Sequence, residues 1–282
     1  MGTMLLGAVA YDPKVVTIWE GFRQWLATRD FDLDYVLYSH YERQVDDLMS
    51  GRIDIAWNSP LAWVRSQRIA AHAGLTVNPF LMRDTDRDLR SVIVVRADSP
   101  VTALADLSGA TIGVGALDSP QATLLPLALI REAGFDWPTL PVVHFNIGVG
   151  LHGDHIGGER DAARALTAGA VDAAAMTDSN LLLFSREGTL RPGQVRVIAQ
   201  TEPYDHCMMT AGPAADSDGV AALDSLLQGM SYADATVRPL LDLEGLTRWL
   251  PGRTDRYAAL ERAVTDTGFY DAAGSLVAGS RP

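Results

Sequence analysis

Cysteine is almost missing from this sequence of 282 residues, which contains only Cys207. A single cysteine cannot close an intramolecular disulfide, and it cannot build a structural zinc site that needs several thiolates. The chain also lacks any apolar run near the roughly 20 residues that a membrane-spanning helix needs. We therefore expect neither a disulfide-stapled scaffold nor a transmembrane segment.

Positive charge is also in short supply. The chain has 23 Lys and Arg against 35 Asp and Glu, which gives a net charge of −12 at pH 7. Affinity for nucleic acid comes from neutralised phosphates, so we expect no nucleic-acid partner. A small anion stays possible, because backbone amides at one place can outweigh the charge of the whole chain.

The N-terminal segment MGTMLLGAVAYDP lacks the basic region that opens an export signal, and its short apolar stretch runs directly into the predicted fold. We expect the chain as numbered to be cytoplasmic, or extracytoplasmic if a leader was removed. Apolar residues make up 48% of the sequence, enough for a full hydrophobic core.

Short β-like runs alternate with stretches of helical periodicity along the chain. Strands are predicted at residues 5–10, 34–38, 53–57, 91–96, 111–115, 142–147, 171–176 and 195–200. Helices are predicted at 15–27, 44–49, 60–69, 123–133 and 159–168, and the remainder from 219 to 270 is mostly helical. This alternation predicts an α/β fold whose sheets are mostly parallel and flanked by helices.

The order of these elements predicts two lobes hinged by two crossovers. Residues 1–93 and 202–282 form the first predicted lobe, and residues 94–201 form the second. A chain that leaves one lobe, builds another and returns is typical of a hinged design that closes on a ligand. We therefore expect a ligand cleft between the two lobes.

Polar and aromatic residues follow many of the predicted strands. In open α/β sheets, ligands bind beyond the carboxyl ends of the strands. Turn formation accounts for many Asp, Ser, Asn and Pro residues at such places, but not for the aromatics and histidines. The candidate ligand-binding residues are Tyr11, His40, Tyr41, Trp57, Asn58, Ser59, Ser119, Gln121, Thr123, Thr177, Asp178, Tyr204 and His206.

Three segments carry a resemblance to a known family. They are SGRIDIAWNSPLAWV (residues 50–64), LADLSGATIGVGALDSPQATLLPLALIREAGFD (104–136) and AGAVDAAAMTDSN (168–180). In this order they resemble the phosphate/phosphonate ABC-transporter substrate-binding proteins. That resemblance implies the type II periplasmic-binding-protein fold, a small anionic ligand and a transporter permease as partner.

The resemblance also implies where the anion is held. In that family a Ser/Thr-rich loop that opens a helix binds the anion, and Ser119 and Thr123 match it by position. This chain reads SPQAT where the family commonly reads S-T-S-G. The positive end of the helix dipole would favour an anion there. The alternative is that Ser119 only caps the helix, with Pro120 at its first position.

Two segments contain histidines that a plain receptor does not require. His152 and His155 lie in a glycine-rich stretch with carboxylates nearby, a pattern that could bind a metal, but the H-E-x-x-H arrangement of zinc proteases is missing. His206 and Cys207 are adjacent, and adjacent side chains of an extended segment point to opposite sides. The two side chains therefore need not touch, and a catalytic Cys–His dyad is not implied. We predict no metal and no cofactor.

Two functions stay open at this stage. The first is a binding protein for a small anion, phosphonate- or carboxylate-like, that closes about its hinge. The second is a cytoplasmic enzyme on the same scaffold, of lyase, decarboxylase or dehydratase type, that acts on a small carboxylate. In the enzyme, His152, His155 and His206 would be the acid–base residues, because histidine titrates near neutral pH.

Overall fold

The computed structural model describes residues 2–135 and 140–277. Its strands are β1 (Met4–Val9), β2 (Leu33–Tyr38), β3 (Ile55–Asn58), β4 (Asn78–Arg83), β5 (Ser91–Arg96), β6 (Ile112–Val114), β7 (Val142–His144), β8 (Ala173–Thr177), β9 (Val195–Gln200), β10 (Met208–Ala211) and β11 (Trp249–Pro251). Its α-helices are α1 (Lys14–Ala27), α2 (Tyr41–Met49), α3 (Pro60–Ala73), α4 (Leu125–Glu132), α5 (Gly157–Thr167), α6 (Asp178–Glu187), α7 (Ser217–Gln228), α8 (Arg238–Glu244) and α9 (Ala258–Thr267). Each predicted strand and helix has a counterpart, whereas β4, β10, β11 and α6 were not predicted.

Contacts within the chain divide it into two compact units. The first unit holds the described residues up to Arg87, Asp205–Ala258 and Tyr270–Leu276, and the second holds the described residues of Asp88–Tyr204 with Ala259–Phe269 and Val277. The chain thus passes from one unit to the other close to the predicted lobe boundaries. Residues 259–269 differ from the prediction, because they group with the second unit and not with the first.

The sheet of the first unit has the strand order β11-β4-β10-β3-β1-β2. Strand β1 is parallel to both β2 and β3. Strand β10 is antiparallel to both of its neighbours, β3 and β4. The chain returns to this unit through β10, which runs in the opposite direction to the strands that are connected by helices.

The sheet of the second unit has the order β7-β6-β8-β5-β9. Strand β6 is parallel to β7 and β8, whereas β5 is antiparallel to β8 and β9. Both sheets are therefore mixed, although most strands of each run in one direction: the exceptions are β10 and β11 in the first unit and β5 in the second. Alternation with helices fixes the direction only of strands that a helix connects, and β5 and β10 both follow a crossover instead.

Each unit has its own hydrophobic core. In the first unit, α1 turns Ile18, Trp19 and Phe22 toward the sheet, at the spacing of one helix face. In the second unit, apolar side chains cover both faces of the sheet. None of the described helices is long and apolar enough to cross a membrane.

The two segments that connect the units pair with each other. Leu89 and Tyr204 exchange two backbone hydrogen bonds of 2.8 and 2.9 Å. On the other side of the boundary, the His206 backbone N–H donates to the Asp86 carbonyl oxygen at 2.8 Å. The crossovers therefore form a two-stranded connection at residues 86–89 and 204–206.

Candidate functional site

A serine opens the helical segment that follows β6 in the second unit. Ser119 Oγ accepts a hydrogen bond from the Ala122 backbone N–H at 3.1 Å, and Pro120 occupies the first helical position. A π-turn over residues 120–124 then leads into α4. The capping role considered for Ser119 is therefore present in the structure, as the N-cap preference of serine predicts.

The other two candidates of this loop are engaged inside the same unit. Thr123 is fully buried and its hydroxyl donates to the Ala116 carbonyl oxygen at 2.8 Å. Gln121 Nε2 donates to the Gly153 carbonyl oxygen at 2.6 Å, while its Oε1 has no hydrogen-bond partner among the described residues. The structure brings these residues together, and their binding of an anion stays a prediction.

A glycine-rich loop, residues 148–158, packs against the Ser119 helix start. The Gly150 N–H donates to Asp118 Oδ2 at 2.5 Å. A Cβ placed on Gly153 would lie 2.6 Å from Ser119 Oγ and 2.5 Å from Gln121 Nε2. Gly153 also has a φ of +80°, a region that L side chains rarely adopt. Only glycine therefore fits this close approach.

The two histidines of this loop have different surroundings. His152 is fully buried and has a φ of +49°, in the left-handed region that non-glycine residues rarely adopt. His155 is exposed, and its Nδ1 accepts a hydrogen bond from the Gly157 N–H at 3.0 Å. His152 belongs to the packed interior of the loop, whereas His155 is open to solvent.

Thr177 and Asp178 begin a helix that the sequence did not predict. Thr177 Oγ1 accepts a hydrogen bond from the Asn180 N–H at 3.1 Å, and Asp178 Oδ1 accepts one from the Ser179 N–H at 2.7 Å. Buried Glu159 joins them, because its Oε2 accepts from the Thr177 N–H at 2.9 Å. These turn-forming residues are therefore the start of α6.

Tyr204 is connected to the helix start at Ser119 through the side chain of Ser91. Ser91 Oγ donates to the Gln121 carbonyl oxygen at 2.5 Å and lies 2.9 Å from the Tyr204 hydroxyl. With the serine proton committed to Gln121, the Tyr204 hydroxyl is the donor to Ser91. Burial raises the pKa of the Tyr204 phenol, which keeps the donor neutral.

The first unit repeats the serine cap at the end of β3. Ser59 Oγ accepts a hydrogen bond from the Ala62 N–H at 3.1 Å, and Pro60 begins α3. Asn58 is fully buried, and its Oδ1 accepts a hydrogen bond from Gln44 Nε2 at 3.0 Å. Both units therefore carry an Asx-Ser-Pro helix start at the carboxyl end of a strand.

The aromatic and histidine candidates of the first unit are spread over different environments. Tyr41 is buried and Tyr11 is half-buried, with Lys14 Nζ 5.7 Å from the Tyr11 ring centroid. His40 is exposed, and its Nδ1 lies 2.9 Å from Ser39 Oγ. Each of these residues stays a predicted ligand contact.

Trp57 lies in the core of the first unit. Its ring centroid is 6.4 Å from that of Trp19 and 5.8 Å from that of Trp249, both in edge-to-face geometry. Only 5% of its surface is exposed. The strand end that carries Trp57 is covered by α1 and β11, so its position is that of a packing residue.

His206 touches Cys207, a contact that their adjacency in the sequence does not require. Cys207 Sγ lies 3.1 Å from His206 Nδ1, and the same nitrogen is 3.5 Å from Asp86 Oδ1. The contact is possible because residues 205–207 precede β10 and lack the alternation of a regular strand. Both contacts use Nδ1, so the three side chains converge on one point and do not form a relay.

An arginine holds the carboxylate of this cluster. Arg83 Nε and Nη2 donate to the two oxygens of Asp86 at 2.6 and 2.8 Å, and Arg83 Nη1 lies 3.2 Å from Glu244 Oε1. Burial alone would raise the pKa of Asp86, but the adjacent Arg83 overrides it and lowers that pKa to about 2. Asp86 is therefore ionised at neutral pH.

A second ion pair lies beside the first, with a buried carboxylate and a half-buried arginine. Arg253 donates to both oxygens of Asp205 at 2.6 and 2.7 Å. The Tyr257 hydroxyl donates to the His206 carbonyl oxygen at 2.5 Å, and burial raises the pKa of that phenol. Sequence reasoning missed this arrangement, because more than a hundred positions separate Asp86 from His206 and no local spacing connects them.

Solved structures with a similar fold include a periplasmic binding protein and proteins that hold small ligands. PhnD1 from Prochlorococcus marinus in complex with methylphosphonate matches with a TM-score of 0.69 at 16% identity, over 95% of this chain and 99% of that one. A Xanthomonas citri protein bound to ATP matches with a TM-score of 0.72 at 16% identity, over 94% and 98%. The aliphatic sulphonate binding protein SsuA from Escherichia coli matches with a TM-score of 0.60 at 20% identity, over 96% and 92%.

These likenesses define the class as the two-lobed α/β periplasmic-binding-protein fold, which confirms the predicted fold class. A family model identifies the family within this fold class. The model for the ABC transporter, phosphonate, periplasmic substrate-binding protein matches residues 8–257. This chain belongs to that family, which confirms the resemblance found in the sequence and the binding-protein prediction.

Proposed function

We propose that this chain binds a small anionic ligand, phosphonate- or carboxylate-like, and presents it to the permease of an ABC transporter. The family is periplasmic, and an extracytoplasmic location is part of the proposal. One observation carries the ligand class: a serine-capped helix start follows β6, in the segment that resembles the family's anion-binding loop. Hinge closure on the ligand, predicted from the sequence, belongs to the same proposal.

Ser119 has the chemistry that an oxyanion requires. One lone pair of its hydroxyl oxygen accepts the Ala122 N–H, and the hydroxyl proton can still be donated to a ligand. Gln121 contributes a second polar group beside it. A charge-assisted hydrogen bond from such a donor contributes more than a neutral one.

The enzyme alternative has less support than the receptor. The family description names binding and no reaction. His155 is exposed and His152 is buried in its loop, so the two histidines offered as acid–base partners have unlike surroundings. In a receptor, His206→Ala changes ligand affinity at most. Recovery of a chemically altered ligand, by mass spectrometry after incubation with the wild-type chain, would favour the enzyme instead.

Calorimetric titration with methylphosphonate tests the receptor, with methanesulfonate, acetate and inorganic phosphate as competing probes. Ser119→Ala should weaken methylphosphonate binding by about 1–2 kcal/mol through loss of one charge-assisted hydrogen bond. Thr123→Ala should weaken it as well. The matched control is Asp216→Ala, which removes the N-cap of α7 in the other unit and should leave the affinity unchanged.

Unfolding curves of the same variants separate capping from binding. Ser119→Ala and Asp216→Ala should both lose stability, since each deletes a helix cap worth about 0.5–2 kcal/mol. Only Ser119→Ala should also lose affinity. Equal affinity of wild type, Ser119→Ala and Thr123→Ala for the probe that binds tightest would rule out the Ser119 loop as the anion site.

A further inference from the structure

Three side chains of metal-ligating type converge in the first unit. Asp86, His206 and Cys207 each offer one ligand atom, and these atoms lie within 4.8 Å of one another. His206 Nδ1 is 3.1 Å from Cys207 Sγ and 3.5 Å from Asp86 Oδ1. Ligand atoms bound to one tetrahedral zinc ion at about 2.0–2.3 Å are roughly 3.3–3.6 Å apart. Small side-chain adjustments would therefore place all three atoms around a single ion.

We infer that Asp86, His206 and Cys207 form a binding site for one divalent metal ion of the zinc class. A thiolate, an imidazole and a carboxylate are the ligands that Zn²⁺ accepts, whereas Mg²⁺ and Ca²⁺ prefer oxygen throughout. Three protein ligands leave the fourth position of a tetrahedral ion for water or another small ligand. The His206 side chain is 14% exposed, which gives an ion a path to the cluster.

The charge of the buried group favours a cation despite Arg83. The Arg83 guanidinium faces two buried carboxylates, those of Asp86 and Glu244, so the group carries one net negative charge. Metal binding breaks the Cys207 S–H bond, forms a sulfur–metal bond and releases the proton to solvent. A divalent ion together with the new thiolate brings the group to neutrality.

The ligand positions are fixed before any ion binds. The His206 backbone N–H donates to the Asp86 carbonyl oxygen at 2.8 Å, which ties the two ligand residues together. Arg83 orients the Asp86 carboxylate through two hydrogen bonds, and the Tyr257 hydroxyl holds the His206 carbonyl. Outer partners of this kind orient metal ligands in known sites.

Cobalt titration of the full-length chain, freed of any affinity tag, tests the site directly. Co²⁺ bound to a thiolate gives a charge-transfer band in the near ultraviolet. Cys207 is the only cysteine of the chain, so such a band assigns this residue without any variant. The expected result is a band that saturates at one equivalent of Co²⁺ and disappears when Zn²⁺ is added.

Variants then identify the remaining ligands. Cys207→Ser should abolish the band, and His206→Gln and Asp86→Asn should each weaken Zn²⁺ binding at least about tenfold. The control is His72→Gln, an exposed histidine of α3 in the same unit, which should bind Zn²⁺ like the wild type. Circular dichroism checks the fold of each variant, and the wild-type band decides the question if one misfolds.

Absence of a thiolate band at one equivalent of Co²⁺, or equal Zn²⁺ affinity of wild type and Cys207→Ser, would overturn the metal site. The two proposals are tested separately, because methylphosphonate titrations on protein stripped of metal do not depend on Zn²⁺ binding. Failure of one proposal therefore leaves the other intact.

Discussion

Replacing Arg253 by methionine should destabilise the protein strongly, because it strips a buried carboxylate of its guanidinium. Both oxygens of Asp205 accept from Arg253, at 2.6 and 2.7 Å, and the Asp205 side chain has no exposed surface. Methionine keeps most of the apolar stem of arginine and removes only the charge and the donors. Breaking one partner of a buried pair costs about 3–5 kcal/mol, since the other charge stays buried.

Thermal unfolding followed by circular dichroism measures the loss. At roughly 2–4 °C per kcal/mol, Arg253→Met should lower Tm by roughly 6–20 °C. The matched control is Arg23→Met, because Arg23 also holds a carboxylate, that of Glu20, through two hydrogen bonds of 2.9 and 2.8 Å. That pair is exposed to solvent, and exposed pairs contribute about 0–1 kcal/mol.

The double variant Arg253→Met/Asp205→Asn gives a second arm of the same test. Removing both charges leaves no buried carboxylate without its counter-charge, so the double variant should be more stable than Arg253→Met alone. Equal Tm losses for Arg253→Met and Arg23→Met would refute the reasoning. So would a double variant less stable than the single one.

Two further predictions concern the glycine-rich loop and the Asp86 carboxylate. Gly153→Ala should lower the free energy of unfolding more than Gly188→Ala does. Both substitutions carry the strain of a positive φ, about 1–2 kcal/mol. Only the new methyl group at position 153 also meets Ser119 and its neighbours. Chemical denaturation of both variants checks this, and equal losses would contradict the close packing. The lowered pKa of Asp86 stabilises the fold by about 2 kcal/mol above its ordinary pKa of 3.8, and this contribution is lost as the pH falls toward 2. The stability gap between wild type and Asp86→Asn should therefore shrink in acid, and a gap independent of pH would contradict it.

Local pattern was enough for the elements that are buried on both faces. Residues 91–96 were predicted as a strand and are β5, whose burial is continuous from Ser91 to Val95, because continuous runs rich in β-branched residues are typical of such strands. The serine cap at Ser119 was likewise visible, since serine followed by proline is a helix-start signal. In both cases the information lies within a few neighbouring residues.

Elements that depend on distant partners could not be predicted in the same way. Strand β10 is only four residues long, and its place between β3 and β4 follows from the return of the chain and not from its own sequence. Trp57 lies near the end of a strand, which made it a candidate ligand contact, and its packing against Trp249 from the far end of the chain is not visible in local sequence. The Arg83–Asp86–His206 cluster is likewise assembled by the sheet from residues far apart in sequence.

The two serine-capped helix starts differ in one residue that bears on anion affinity. Asn58 precedes Ser59 in the first unit, whereas Asp118 precedes Ser119 in the second, and both serines accept an alanine N–H at 3.1 Å. Asp118 is 2% exposed, and its Oδ1 has no hydrogen-bond partner among the described residues.

An anion bound at Ser119 would therefore meet a buried carboxylate. At separations of roughly 4–8 Å, two unit charges repel by about 2–4 kcal/mol at an effective dielectric constant of about 20. Asp118→Asn removes the charge and keeps the shape, so methylphosphonate affinity in calorimetry should rise at least about tenfold. Asp216→Asn, a cap in the other unit, should leave it unchanged. A fall in affinity for Asp118→Asn would show that Asp118 accepts a hydrogen bond from a protonated or cationic group of the ligand, and a fully charged anion at Ser119 would then be the wrong ligand class.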